Sequence, residues 1–494
     1  MSSFLDDIRN ERIKKLNILK EKGINPFPVE TKKDHSVEEL RASFDEIVSS
    51  QKTVVAAGRI VALRGQGGLL FFNINDGTGV FQGLLKKDEM DEKIFDLFSD
   101  TVDLGDFVEA EGILFTTKRG EKTLQVKNWT MLSKSLRPLP DKWHGLQDTE
   151  ERYRRRYLDI LMSPDVRRRF EIRSKFVSAL RNAFDSEGFL EVETPILQPI
   201  AGGATAKPFA THHHALDIGL YLRIAPELYL KQLLVAGFPK VYELGRLFRN
   251  EGIDVTHNPE FTIVEFYEAY ANASRHMVFL EGLLRRVIKE TLGAEQVAFG
   301  EETIDFGKKF ETVSYFTLFE KYAEMKDAGN MPVSELLSHA KRLNVGVAKG
   351  DGPEKILDHI YKKYCRPHII QPTFINDYSA AFSPLAKRRE NDPEMIERYQ
   401  LVIGGFEVVN GFSELNDPID QRARFTEQET KRGTGDEEAQ IKDEEYIEAM
   451  EYGMPPAGGV GLSIDRMIML LTDTKNIREV ILFPTLRPKD NKEK

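Results

Sequence analysis

Val241-Tyr242-Glu243-Leu244-Gly245-Arg246-Leu247-Phe248-Arg249 is followed, after a polar segment from Asn250 to Pro259, by Glu260-Phe261-Thr262-Ile263-Val264-Glu265-Phe266-Tyr267-Glu268-Ala269-Tyr270. The two flanks read as a strand and a returning strand, and the segment between them as a loop. In the returning strand, period-two alternation puts Phe261, Ile263, Glu265 and Tyr267 on one face. An aromatic, a carboxylate and a phenol in line do not suit a core face. They suit the wall of a pocket for a flat base and a cationic ligand. Arg249 and His257 bracket the loop, where they would hold phosphate oxygens by charge-assisted hydrogen bonds. A purely structural hairpin would not need this set.

Towards the N-terminus the pattern changes. Thr53–Leu63, Leu69–Ile74, Val80–Leu85, Phe107–Thr117 and Lys122–Leu132 read as short strands, with a helical piece near Asp88–Phe98. Five strands with a helix between the third and fourth predict a small Greek-key barrel, the OB-fold. Leu70, Phe72 and Ile74 would fill it, and Phe71 would point outwards. An outward phenylalanine is either a stacking platform for an unpaired base or an ordinary surface residue. Before the barrel, Asp6 to Gly23 reads as an amphipathic helix, stopped by Gly23 and Asn25-Pro26-Phe27-Pro28, and a second helix is expected around Val37–Ser49. Their charged faces read as solvated surface rather than as an RNA contact. The organisation expected is therefore a helical extension over 1–50, a barrel over 51–136, and a linker over 137–150 stiffened by Pro138 and Pro140. A long α/β segment over 151–494 follows. It opens on the basic run Glu151–Tyr157, carries a largely helical insertion around 283–364, and includes an acidic exposed stretch from Glu427 to Glu448.

With 494 residues the chain is too long for one domain, and 41% hydrophobic and 30% charged residues suit a soluble globular protein. No apolar run approaches bilayer length. Met1 to Asp7 has neither segment of a secretory signal, and its early acidic residues argue against a transit peptide. The single cysteine, Cys365, can form neither an internal disulfide nor by itself a zinc site, so a cytoplasmic home is expected. A net charge of −10 excludes coating of nucleic acid by bulk charge but not a local RNA site. There is no Gly-x-x-x-x-Gly-Lys-Ser/Thr loop and no convincing Gly-x-Gly-x-x-Gly. Met131-Leu132-Ser133-Lys134-Ser135 has no matching His-x-Gly-His and reads as a decoy. His212-His213-His214 alternates faces in an extended segment and lacks further ligands, so a surface role is expected rather than a metal site.

Phe248-Arg249-Asn250-Glu251-Gly252 with His257-Asn258-Pro259-Glu260-Phe261-Thr262 resembles motif 2 of the class II aminoacyl-tRNA synthetases. Gly188-Phe189-Leu190-Glu191-Val192-Glu193-Thr194-Pro195-Ile196-Leu197 resembles motif 1, the dimer-forming segment of that class. Gly458-Gly459-Val460-Gly461-Leu462-Ser463-Ile464-Asp465-Arg466 resembles motif 3. Three motifs in order behind a barrel are a specific signal. Arg137-Pro138-Leu139-Pro140-Asp141-Lys142, His144-Gly145-Leu146-Gln147-Asp148, Leu222–Leu228 and Gly411-Phe412-Ser413-Glu414-Leu415-Asn416-Asp417 make the chain similar to the lysyl members along nearly its whole length. The resemblance implies an α+β fold with a central antiparallel sheet flanked by helices, a homodimer through the motif 1 region, and anticodon reading by Arg64, Phe71 and Gln82. It also implies that lysine is activated with ATP as lysyl-adenylate and passed to the 3′ end of a lysine tRNA.

For ATP, the resemblance implies adenine between Phe261 and Arg466, Glu251 near its amino group, and Asn258 and His257 in the same site, His257 near the outer phosphates. Arg249 and Arg466 would be the catalytic cations. For lysine, it implies Gly203, Glu227 and Glu265 on the α-amino group, Arg249 on the carboxylate with Asn410 helping, and Phe412, Tyr267 and Glu414 around the side chain. In an extended segment Asn410, Phe412 and Glu414 share a face, and a buried carboxylate beside a phenol suits an ε-ammonium group. Aspartyl and asparaginyl specificity, lysylation of a protein, and a non-catalytic regulator are the competing readings. Glu414, the retained barrel, and intact Arg249, Glu407 and Arg466 argue against each in turn.

The resemblance places magnesium at Glu407, with Glu414 as a second metal-binding carboxylate. These two would face opposite ways on a regular strand, so a bulge is expected near Asn410-Gly411. Gln400 stands seven residues before Glu407 where the family often has a glutamate, which leaves the number of ions open. Ser379 and Ala381 replace a usual proline and glutamate, so that wall of the site differs.

Overall fold

The computed structural model describes residues 2–140, 146–348, 350–433 and 439–489. Part of the linker resemblance, at 141–145, and part of the acidic stretch, at 434–438, lie outside them. The chain divides into two units, 1–147 and 148–494. Among the described residues no helix is long and apolar enough to cross a membrane.

The first unit begins with α1 (Ser2–Glu21), which Gly23 ends in the left-handed conformation with its N–H on the Lys20 carbonyl. The single helix expected next is two, α2 (Val37–Ala42) and α3 (Phe44–Ser50), broken at Ser43. A capping box between Ser36 and Glu39 starts the first. Strands β1 (Thr53–Gln66), β2 (Leu69–Asn75), β3 (Val80–Lys86), β4 (Phe107–Thr116) and β5 (Lys122–Ser133) close a barrel in the order β1-β2-β3-β5-β4. The helix between the third and fourth strands is α4 (Glu92–Thr101). Its Phe98 meets Phe72 and Trp129 at ring separations of 5.3 and 5.1 Å. Gly83 makes room for Phe72, since a Cβ there would sit 2.2 Å from the ring.

The second unit is built on an eight-stranded sheet. Its strands are β6 (Leu190–Glu191), β7 (Lys240–Phe248), β8 (Glu260–Ala269), β9 (Glu311–Ser314), β10 (Thr373–Asn376), β11 (Arg398–Ile403), β12 (Phe406–Ser413) and β13 (Ala457–Ser463). The order is β9-β10-β11-β12-β13-β8-β7-β6, antiparallel except at its two ends. One face buries Val264, Phe266, Val460 and Leu462 against α5 (Pro164–Ser186), α7 (Ala273–Leu292) and α8 (Ile464–Leu471). The opposite face holds the hairpin wall, with α6 (Glu227–Val235) packed beside it. The span expected as a helical insertion contains helices over Tyr315–Ala323, Val333–Arg342 and Pro353–Ile360. It also supplies a small hairpin, Gln296–Phe299 with Glu302–Asp305, and the edge strand β9, so it is woven into the sheet. The arginines of the basic run are taken up within the unit: Arg152 and Arg156 pair with Asp159 and Glu479, and Arg154 with Glu150.

Candidate active site and nucleic-acid interface

Register builds the pocket wall. On β8, Ile263, Glu265 and Tyr267 pair with Ser463, Gly461 and Gly459 of β13. Across β13, Asn410 and Phe412 of β12 pair with the same two glycines. Directly paired residues share a face, so Glu265, Tyr267, Asn410 and Phe412 surround a strip of sheet that lacks side chains. The expected alternation of the returning strand is what the structure has: Thr262, Val264 and Phe266 turn to the other layer.

Glu407 joins this face through a bulge. Gln400 pairs with Asn410 and Leu401 with Val409, but Val402 pairs with Glu407, leaving Val408 as an extra residue that packs into the helical layer. The bulge expected at Asn410-Gly411 is therefore one turn of alternation earlier. Gly411 instead accommodates the Tyr399 ring on the opposite face, 2.6 Å from where its Cβ would be.

At one end of the strip, Glu414 and Tyr267 converge over Gly459. A Cβ on Gly459 would lie 2.0 Å from Glu414 Oε1 and 2.4 Å from the Tyr267 ring. Glu414 is fully buried, and its Oε1 has no hydrogen-bond partner among the described residues. Its Oε2 is in ion-pair contact with Lys231. The Lys231 ammonium donates to Glu227 Oε1 at 2.5 Å. Gly203, at φ +86°, packs against the Glu227 stem, where a Cβ would be 2.9 Å away. Tyr267 donates to Glu265 Oε2 at 3.0 Å. Burial, and next Glu227, push Glu265 up to about 8, against the Tyr267 hydroxyl and Arg249. Burial raises Glu414 and Glu227 too, with Lys231 opposing. Three buried carboxylates and a phenol thus line one end of the pocket.

Two guanidinium groups mark the other end. Arg249 lies 5.1 Å from the Phe261 ring centre, and its buried Nε has no partner among the described residues. Burial draws its pKa down, while Glu251, Glu265 and Glu407 favour the charged form. Arg466 donates to the Glu407 carbonyl at 2.7 Å and lies 3.3 Å from His257 Nε2. His257 is tied to Asp254 through Nδ1 at 2.9 Å. Arg466 stands in the first turn of α8, whose cap Ser463 accepts its backbone N–H. Asp465, fully buried, receives the Thr262 N–H at 2.7 Å and Arg173 at 2.6 Å, which locks that turn to β8. Asn258 donates to the Glu260 carbonyl at 2.6 Å, and its Oδ1 has no partner among the described residues. Glu251 is exposed in the loop.

The donor set for a cation is narrow. Gln400 Oε1 accepts from Tyr378 at 2.8 Å, Asn410 Oδ1 from Arg398 at 2.9 Å, and Glu414 is engaged by Lys231. That leaves the Glu407 carboxylate, half-buried beside both arginines. One carboxylate with substrate phosphates and water is a normal environment for magnesium. No cluster of three or more His, Cys, Asp or Glu suited to a metal occurs among the described residues, His212–His214 included. Ser379, in place of proline, accepts the Ala381 N–H and starts a short 3-10 turn.

In the barrel, Arg64 pairs directly across from Phe71, and Gln82 pairs with Asn73 two residues further along β2. Arg64 is exposed, Phe71 and Gln82 half-buried, and Gln82 donates to Thr123 at 2.8 Å. All three occupy the outer face while Phe72 fills the interior.

Lys231, Asp465 and Arg398 are the members of the site that sequence reading passed over. The four-residue spacing of Glu227 and Lys231 on a helix was a usable signal. Asp465 pairs with residues far along the chain, and Arg398 with Asn410 on the neighbouring strand; neither pairing had one.

Comparison with known proteins identifies both units. Residues 148–487 match the family model of tRNA synthetases class II (D, K and N), and residues 54–132 match that of the OB-fold nucleic acid binding domain. The chain is 46% identical over 487 residues to a lysine–tRNA ligase of Moorella thermoacetica, covering 98% of this chain and 99% of that protein. It is 48% identical over 443 residues to one of Aquifex aeolicus, covering 90% and 74%. With one of Halalkalibacterium halodurans it shares 43% over 492 residues, covering 99% and 98%.

Proposed function

The chain belongs to the class II tRNA synthetases (D, K and N), as a lysine–tRNA ligase, and on that premise we propose which of its residues perform each step. Lysine lies along the strip floored by Gly459 and Gly461. Its α-ammonium meets Glu227 and Glu265, with Gly203 allowing close approach. Its ε-ammonium meets Glu414 and Tyr267, with Phe412 along the methylenes. The observation that carries this is the pair Glu414–Tyr267 over Gly459: a buried carboxylate whose Oε1 has no partner among the described residues, beside a phenol, rewards an ammonium and repels an aspartate side chain.

Arg249 receives the lysine carboxylate and the α-phosphate, helped by Asn410. Adenine stacks on Phe261 beneath Arg466, its amino group near Glu251, with Asn258 shaping the loop and His257 at the outer phosphates. Glu407 would hold the magnesium, which when bound would offset charge on the phosphate oxygens. The lysine carboxylate attacks the α-phosphorus in line, and pyrophosphate departs. The 3′-terminal ribose hydroxyl of tRNA then attacks the carbonyl of lysyl-adenylate, and AMP departs. Positioning and preorganised charge from Arg249 and Arg466 supply the acceleration, on the order of 10²–10³-fold for a donor of this kind. Arg64, Phe71 and Gln82 contact the anticodon.

The chain acts as a homodimer in the cytoplasm. Leu190, Ile196 and Leu197 of the motif 1 segment, 46–48% exposed beside the open sheet edge at β6, support pairing there. The test of the activation step is amino-acid-dependent ATP–pyrophosphate exchange without tRNA over lysine, aspartate and asparagine. Exchange with lysine alone is expected, and exchange with aspartate would remove the lysine-pocket assignment.

A further inference from the structure

Lys231 has no part in the steps above, yet it lies fully buried at the centre of the carboxylate cluster. It stands one helical turn after Glu227 on α6. Its ammonium bonds Glu227 Oε1 and contacts Glu414 Oε2, with the rings of Phe412 and Tyr446 at 5.4 and 6.0 Å. A buried ammonium is expensive to desolvate, and an apolar side chain would fill the same volume more cheaply. Its distinguishing feature is what it joins. Glu227 is the carboxylate assigned to the α-ammonium of the substrate, and Glu414 the one assigned to the ε-ammonium.

The two oxygens of Glu414 are divided between different neighbours. Oε2 faces Lys231, and Oε1 lies over Gly459 beside Tyr267. Among the described residues Lys231 is the cation that touches this carboxylate, and that contact is the polar interaction that sets it. Charge balance agrees. With all three carboxyls ionised, as a bound lysine requires, Glu227, Glu265 and Glu414 carry three negative charges, Lys231 and Arg249 two positive ones, and Glu243 is cancelled by Arg223. The remainder matches the single net positive charge of lysine. Without Lys231, Glu227 and Glu414 would repel each other across the pocket.

We propose that Lys231 is a specificity-determining positioning residue, which bridges Glu227 and Glu414 and so sets the span between the two ammonium sites of the substrate. It acts as a fixed ruler for side-chain length: an amino acid one methylene shorter cannot reach both carboxylates. This rests on the lysine-pocket assignment above.

The test uses the full chain in ATP–pyrophosphate exchange with lysine and with ornithine, for Lys231→Met, Lys231→Gln, Lys231→Arg and Glu414→Gln. Lys231→Met and Lys231→Gln are expected to raise KM for lysine tenfold or more, leave KM for ATP within about twofold, and lower the preference for lysine over ornithine at least fivefold. Lys231→Arg, which keeps the charge, is expected to recover most of the lysine KM. Lysine binding as tight as wild type, or tighter, in Lys231→Met or Lys231→Gln would overturn the proposal. If Glu414→Gln impairs lysine use and the Lys231 variants do not, this proposal alone fails. If Glu414→Gln also leaves lysine KM unchanged, the pocket assignment fails with it. Lys231→Gln is nearly isosteric and guards against a packing defect in the Met variant. Loss of folding in both neutral variants, read by thermal melting and ATP affinity, would assign Lys231 to stability and overturn the proposal.

Discussion

Glu407 and Asn410 stand on one face of β12 although two residues lie between them, because Val408 is an extra residue in the ladder with β11. Regular alternation would have turned one of them into the apolar layer. The bulge instead brings the Glu407 carboxylate to the pocket while its carbonyl holds Arg466. Glu407→Gln should therefore keep the fold and lose several kcal/mol of metal-assisted charge stabilisation, on the order of 100-fold or more in exchange rate. The magnesium needed for half-maximal exchange should rise. An unchanged rate and unchanged magnesium dependence would show that the ion is held elsewhere.

Gly459 has no room for a side chain, since a Cβ would meet both Glu414 and Tyr267. Gly459→Ala should cost about 1–3 kcal/mol of stability as overpacking. It should also raise KM for lysine by roughly tenfold to 100-fold, about 1.4–2.8 kcal/mol, with KM for ATP little changed. Denaturant titration and exchange kinetics read the two effects separately, and an alanine variant with normal lysine affinity would contradict the floor assigned to this residue.

Glu265 makes the pocket sensitive to pH. Burial and Glu227 hold its pKa at about 8, against Tyr267 and Arg249, with Glu243 adding to the rise. A carboxyl raised in the folded state contributes stability that is fully present below its ordinary value of 4.5 and lost as pH rises through about 8. The free protein should lose melting temperature as pH rises from about 4.5 to about 8. Lysine needs the ionised form, so its affinity, and the melting shift it produces, should grow over the same range. A lysine-induced shift that shrinks with rising pH would show that Glu265 does not face the α-ammonium.

Phe71 separates the two units experimentally. Phe71→Ala should raise KM for tRNA in aminoacylation by about 1–3 kcal/mol, roughly 5- to 150-fold, as expected for a lost stacking partner. Lysine-dependent exchange without tRNA should be untouched. Equal tRNA KM values would return Phe71 to the class of ordinary surface aromatics.

The barrel was readable almost strand by strand, because its runs are short, alternate cleanly and are bounded by turn residues such as Asn75-Asp76-Gly77. The hairpin wall was readable for the same reason. The bulge was inferred from the conflict between Glu407 and Glu414, but its place was not, since any of several residues could absorb the extra one. The span over 283–364 was the least legible. Its strand β9 is four residues long and pairs with β10, some sixty residues later, which no local pattern reveals.

By itself the sequence determined the architecture, the order of the three motifs, and the residue types of an ammonium pocket and an anion site. Periodicity and motif spacing are local properties, and they survive without coordinates. Tertiary structure alone decided that Lys231 lies between Glu227 and Glu414, and that Asp465 ties α8 to β8 through Thr262. It also decided that Tyr378, Arg398 and Lys231 engage Gln400, Asn410 and Glu414, leaving Glu407 as the carboxylate open to a cation. Such pairings depend on which distant side chains share one buried volume, where each desolvated charge must find a partner, and that volume exists only once the sheet is assembled.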